Sequence, residues 1–228
     1  MAITSIPLLS FNQNSISTEE LIGKGNPNLF GHSFKLREEA FNAFQNMKAE
    51  ALKEGVNIQI ISSYRDFKHQ KRIWEGKYNR YRSQGLSEEK TIQKIIEYST
   101  IPGTSRHHWG TDIDIIDAKV SQPKHVLREE NFHRDGPYIY LNQWMSQHAS
   151  SFGFYLVYTN EPKRKGFKYE PWHYSYKPLS KQYINRYKSL NIKDVLQKER
   201  LMGSPHFSEA FINTYLRENI LDINPELL

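Results

Sequence analysis

Apolar residues recur at spacings of three and four over residues 35–54, where Leu36, Ala40, Phe41, Phe44 and Met47 form one stripe and Gly55 follows; the pattern predicts a helix. Residues 56–61 form a short apolar run, read as a strand that delivers Ser62-Ser63-Tyr64-Arg65 to the edge of the core. A helix is predicted over 66–78 with Asp66 as its N-cap, and another over 87–98, where Ser87 and two acidic residues precede Ile92, Ile95 and Ile96. The period then changes. Over 111–116 Asp112 and Asp114 fall on one face and Ile113 and Ile115 on the other, as in a strand with one buried side. Residues 118–135 show no period and read as a polar loop beside a binding cleft. Leu141, Trp144, Met145 and His148 predict a helix over 138–151, closed by Gly153 before a strand at 154–158.

Beyond Lys177 the pattern is helical, in one segment carrying Tyr183, Tyr187 and Leu190 and another carrying Phe207, Phe211, Tyr215 and Leu216, with Gly203-Ser204-Pro205 between them. Residues 1–34 read as an irregular arm with turn signals at 23–28. This order of elements predicts an α+β fold, a small, mainly antiparallel sheet flanked by helices, with a helical C-terminal extension. No linker divides the 228 residues, so a single domain over 1–228 is expected, with a core at about 20–180 and the extension at 181–228.

Candidate chemistry concentrates in residues 102–117, PGTSRHHWGTDIDIID. In one unbroken helix His107 and Asp114 would lie roughly 10 Å apart at ~1.5 Å per residue, too far to share a metal ion. A turn at Trp109-Gly110 followed by a strand brings the aspartates back towards the histidines. On composition alone His108 competes with His107, and Asp112 with Asp114. Downstream, Glu170-Pro171-Trp172-His173 adds a carboxylate and an imidazole three apart, and the proline permits a bend that puts both on one side. Two imidazoles and a carboxylate suit an open zinc site with water in the fourth position, and the remaining glutamate suits a base. His125 and His133, isolated in polar sequence, read as solvated.

The remaining composition mostly excludes. There is no cysteine, which removes thiolate ligands, disulfides and thiol nucleophiles. The net charge of +6 is spread among acidic residues, without a helix-turn-helix, zinc-finger or RNP-like pattern, so no nucleic-acid partner is expected. No apolar run approaches the ~20 residues of a membrane span, and the N-terminus lacks the basic and apolar regions of a signal peptide.

Three ordered motifs resemble those of the VanY-type D-alanyl-D-alanine carboxypeptidases, zinc D,D-peptidases grouped with D,D-dipeptidases and L,D-carboxypeptidases. The family pattern Ser-x-His-x-x-Gly-x-Ala-x-Asp is matched by Ser105, His107, Gly110 and Asp114, with Asp112 where the family often carries Ala. Glu-x-x-His with Trp before the histidine is matched by Glu170, Trp172 and His173, and Ser-x-Tyr-Arg by Ser62, Tyr64 and Arg65, with Gln70 five residues later. The resemblance covers about residues 20–180. It implies one Zn2+ per chain on His107, Asp114 and His173, Glu170 as catalytic base, Arg65 as the stabiliser of the oxyanion, and Ser105 and Gln70 as substrate contacts. Asp112 is expected to accept hydrogen bonds behind the ligands; the alternative is that it ligates zinc in place of Asp114 or beside it.

The implied reaction is hydrolysis of the terminal D-Ala-D-Ala bond of peptidoglycan stem peptides, with those peptides as partners. An extracytoplasmic enzyme follows, from which the leader is expected to have been removed. Other readings on the same scaffold are an L,D-carboxypeptidase or a peptidoglycan endopeptidase. A non-catalytic, zinc-stabilised cell-wall-binding module ranks below these, because Glu170 and Arg65 are both present.

Overall fold

The computed structural model describes residues 16–228; residues 1–15, the start of the predicted arm, lie outside that range. Strands β1 (Ile58–Ser62), β2 (Asp112–Asp117), β3 (Phe154–Leu156) and β4 (His173–Tyr176) form one sheet in the order β1-β2-β4-β3, every pair antiparallel. The helices are α1 (Thr18–Leu21), α2 (Glu38–Lys53), α3 (Phe67–Ser83), α4 (Glu88–Ile95), α5 (Ile139–His148), α6 (Lys177–Tyr187), α7 (Ile192–Lys198) and α8 (Glu209–Tyr215). This is the expected α+β architecture.

Two apolar clusters hold it together. In one, Ala40, Phe44 and Met47 of α2 and Leu141, Trp144 and Met145 of α5 bury the isoleucines of β1 and β2. In the other, α3, α4 and α6–α8 pack around Trp74, Ile92, Ile95, Ile184, Leu196 and Tyr215. The alternation along β2 predicts one buried face, but every residue of the strand is buried. Its carboxylate face is covered by the Arg106–Trp109 turn and by β4, from which Arg106, His173 and Ser175 bond Asp112 and His107 faces Asp114.

Caps explain several boundaries. Asp66 accepts from the His69 N–H at 2.6 Å and starts α3, and Ser87 does the same for α4. Polar residues after Tyr78 do not interrupt α3, which runs on to Ser83 and stops before Gly85, a residue with φ of 87°. The arm contains α1, nucleated by a capping box in which Ser17 and Glu20 each bond the other's backbone N–H. Four helical residues are too few for an apolar period, so the pattern alone misses them. The polar loop after β2 holds a 3-10 turn, Glu129–Phe132, whose Phe132 is buried. No helix of the described residues is long and apolar enough to cross a membrane.

Candidate metal centre

Backbone geometry places the chemistry. Residues Arg106–Trp109 form a single 3-10 turn, and Gly110 follows in the left-handed conformation with φ of 70°. A Cβ at Gly110 would sit 2.8 Å from the Leu29 side chain, so glycine serves both the turn and the close approach. The reversed chain enters β2, where Asp114 lies directly opposite His173 on β4, and Asp112 opposite Ser175. Side chains of directly opposed residues share a face, so the register itself sets Asp114 beside His173.

One ligand atom from each of His107, Asp114 and His173 falls within 4.8 Å of the others, and all three residues are buried. His107 Nδ1 donates to the Ser63 carbonyl at 2.7 Å, which leaves Nε2 bare and facing Asp114 Oδ2 at 3.4 Å. His173 Nε2 donates to Asp112 Oδ2 at 3.0 Å, while its Nδ1 lies 3.0 Å from Glu170 Oε2 and 3.9 Å from Asp114 Oδ1. The His173 N–H also donates to the Glu170 carbonyl across the Pro171-Trp172 bend, which holds the glutamate on the imidazole's side. The donor set suits a zinc ion, with each imidazole fixed through its other nitrogen. Asp114 Oδ1 is buried without a hydrogen-bond partner, which fits a carboxylate oxygen directed at a cation.

The competing residues are occupied elsewhere. His108 Nδ1 donates to the Arg65 carbonyl at 2.6 Å and its Nε2 accepts from the Gly103 N–H at 3.2 Å. Burial drives its pKa down to about 3, so it stays neutral. Asp112 is completely buried and accepts from Arg106 Nε (2.9 Å), Ser175 Oγ (2.6 Å), Thr111 Oγ1 (2.8 Å) and His173. Burial opposes its charge, but the Arg106 guanidinium and His173 overcome that and hold the carboxyl well below the usual range. Asp112 is thus an acceptor behind His173. His125 is exposed, and His133 stacks obliquely on Tyr169; neither joins the cluster.

Around the cluster is a cleft of about 610 Å3. Arg65 enters it from the corner between β1 and α3, its N–H bonded to the His107 carbonyl at 3.1 Å. Gln70, one turn into α3, donates Nε2 to the Thr100 carbonyl at 2.9 Å. Arg65 Nε, Gln70 Oε1, Thr100 Oγ1 and Ser105 Oγ are buried without hydrogen-bond partners, and all belong to residues that line the cleft. Unpaired buried polar atoms are costly, and a peptide's amides and carboxylate can satisfy them. Burial raises the pKa of Glu170 against the opposing pull of His173, which suits a base that must both take and return a proton.

Sequence reasoning missed the clamp on Asp112. Ser175 lies two residues after His173 and therefore on the same face of β4, a period-two signal that could have found it. Arg106 carries no such signal, because its pairing depends on the fold of the 3-10 turn. Tyr158, edge-on to His173 at 5.1 Å, and Lys77 also line the cleft without having been singled out.

Comparison with known proteins gives these residues a context. The profile of the VanY family, described as D-alanyl-D-alanine carboxypeptidase, matches residues 33–179. A D-alanyl-D-alanine carboxypeptidase of Enterococcus faecalis is 24% identical over 157 residues, covering 68% of this chain and 53% of that protein; the chain spans about half of its length. Among solved structures, VanYB in complex with D-alanine-D-alanine has a TM-score of 0.55 at 22% identity, covering 78% of this chain and 92% of the other. A VanY D,D-pentapeptidase variant in complex with Zn(II) has a TM-score of 0.54 at 22% identity, covering 75% and 90%. These two structures share the fold.

Proposed function

The chain belongs to the VanY D-alanyl-D-alanine carboxypeptidase family, and on that premise we propose that it is a zinc-dependent carboxypeptidase hydrolysing the terminal D-Ala-D-Ala bond of peptidoglycan stem peptides outside the cytoplasm. The observation that carries this reading is the convergence of His107, Asp114 and His173 with Glu170 Oε2 only 3.0 Å from His173 Nδ1. His107 Nε2, an Asp114 carboxylate oxygen and His173 Nδ1 would hold one Zn2+ per chain. Bound there, zinc supplies a Lewis acid that activates water and polarises the scissile carbonyl.

The protein's own groups do the rest. Glu170 accepts the proton of the attacking water and returns it to the leaving amine nitrogen. Arg65, with Nε unpartnered in the cleft, donates to the oxygen that gains negative charge as the carbonyl becomes tetrahedral. Ser105 Oγ and Gln70 Oε1 contact the peptide beside the scissile bond. Asp112 fixes the ring of His173 and, through Arg106 and Ser175, is itself fixed.

The test is release of D-alanine from a muropeptide pentapeptide, with chelator and zinc add-back, for the wild type and Glu170→Ala. Chelator-sensitive release that disappears in the variant is the expected result. Trimming of tetrapeptides or cleavage of cross-links, with pentapeptide untouched, would move the assignment to an L,D-carboxypeptidase or an endopeptidase.

A further inference from the structure

The wall of the cleft opposite the sheet carries a cation that the proposed chemistry does not use. Gln70, Ile73, Lys77 and Tyr81 form one stripe of α3 facing the cleft. Lys77 is half-buried, and among the described residues its ammonium bonds Ser99 Oγ and meets no carboxylate within ion-pair distance. Two rungs therefore tie α3 to the adjoining segment, Lys77 to Ser99 and Gln70 to Thr100. Between them Thr100 Oγ1 and Gln70 Oε1 are buried and unpaired. Burial pulls Lys77 below the ordinary lysine range; Glu170 opposes that shift, and Arg80 and Arg65 add to it. A half-buried ammonium beside the unpaired Thr100 hydroxyl, facing open space, lacks an anion; the unpaired Gln70 Oε1, an acceptor, suits a peptide N–H instead. Arg65 is the cation nearer the metal ligands, since its backbone bonds His107, whereas the Lys77 backbone lies about 15 Å along the axis of α3 from Phe67 at ~1.5 Å per residue. Its side chain leans back towards the helix N-terminus, into the cleft.

We infer that Lys77, with Ser99 and Thr100, forms a second anion subsite that binds a free carboxylate of the peptide substrate, apart from the oxyanion position at Arg65. The inference rests on the peptidase reading for its ligand class. The carboxylate has two possible sources, the C-terminus of the leaving residue or an acidic group on the acyl-side peptide. Both present the same chemistry to an ammonium and a hydroxyl.

Calorimetry on zinc-loaded Glu170→Gln protein, with and without Lys77→Gln, separates them without requiring turnover. The probes are acetyl-D-alanyl-D-alanine, its C-terminal amide, and a longer peptide with either a glutamate or a glutamine on the acyl side. The parent should bind one charged probe roughly 10- to 100-fold more tightly than its neutral partner, Lys77→Gln should abolish that preference, and Lys77→Arg should retain most of it. The pair that discriminates identifies the source. Equal binding of charged and neutral probes by the parent overturns the inference, as does a loss in Lys77→Gln that is the same for both. Failure of the wild type to release D-alanine while the preference persists would remove the carboxypeptidase reading and leave the subsite standing.

Discussion

Along β2 and β4 the functional groups are set by backbone register: Asp114 faces His173 because the strands pair there, and Asp112 reaches His173 from two residues away on the same face. Across the cleft, Arg65 stands at the start of α3 and Gln70 and Lys77 reach in from the helix on long side chains, these two bonding Thr100 and Ser99 on the loop over residues 99–105. That loop is braced from far away. The Tyr215 hydroxyl accepts from the Ile101 N–H at 3.0 Å and bonds Thr104 Oγ1 at 2.8 Å, and the Tyr187 hydroxyl donates to the Gly103 carbonyl at 3.0 Å. Both tyrosines lie beyond the residues that match the family. One wall is therefore locally determined and the other depends on the C-terminal helices. Changes in the first should alter metal binding or proton transfer, and changes in the second should alter how substrate or its tetrahedral oxygen is held, with the metal retained.

The largest effect expected on the sheet wall comes from Glu170→Ala, which should lower kcat by ~10²–10⁴ with zinc still bound, measured by D-alanine release beside metal analysis. On the opposite wall Arg65→Ala should cost ~10²–10³ in kcat, again without loss of zinc; a loss of metal instead would erase the distinction between the walls. Asp112→Asn should weaken zinc binding ~10- to 100-fold while stoichiometry at saturating zinc is unchanged, as read by competition with a chelating dye.

The same clamp predicts a pH dependence. In the metal-free protein burial opposes the charge on His173, but the Asp112 and Glu170 carboxylates prevail and raise its pKa to about 10. Because the folded value lies above the unfolded one, this charge stabilises the metal-free fold fully below pH ~6.5 and ceases to do so as pH rises through about 10. Zinc must displace that proton, so zinc affinity should strengthen by about tenfold per pH unit across this window. Titrations of zinc at pH 6.5, 7.5 and 8.5 would show it, and a flat profile would mean that His173 is already neutral.

The smallest effect should come from Tyr215→Phe. It leaves the Ile101 N–H without its acceptor and should cost about 1–3 kcal/mol in denaturant unfolding. A several-fold rise in KM should accompany it at unchanged zinc affinity.

Legibility in the sequence follows the same division. The alternation of Asp112, Ile113, Asp114 and Ile115 and the Glu-x-x-His spacing are local patterns, and the three ligand positions that the family resemblance picks out within them converge in space. The choice between His107 and His108 needed the motif register, because adjacent imidazoles differ only in which backbone atoms they meet. Arg106 could not be read, since its ion pair with Asp112 spans a turn with no periodicity. Nor could the brace on residues 99–105. Tyr187 and Tyr215 read as apolar positions of amphipathic helices, and nothing in their spacing reveals that the hydroxyls find backbone groups of a distant loop.

Tyr215 follows Thr104 by 111 positions. A ribosome adds residues from the N-terminus onward, so β1, β2, β4 and all three candidate ligands are synthesised before the tyrosine that braces the opposite wall. A nascent chain can thus gather its metal-binding strands while the Thr104 loop still waits for its distant anchor. Chain order completes the candidate metal strands before the wall that frames the cleft, and that wall is finished only when Tyr215 docks on the Thr104 loop.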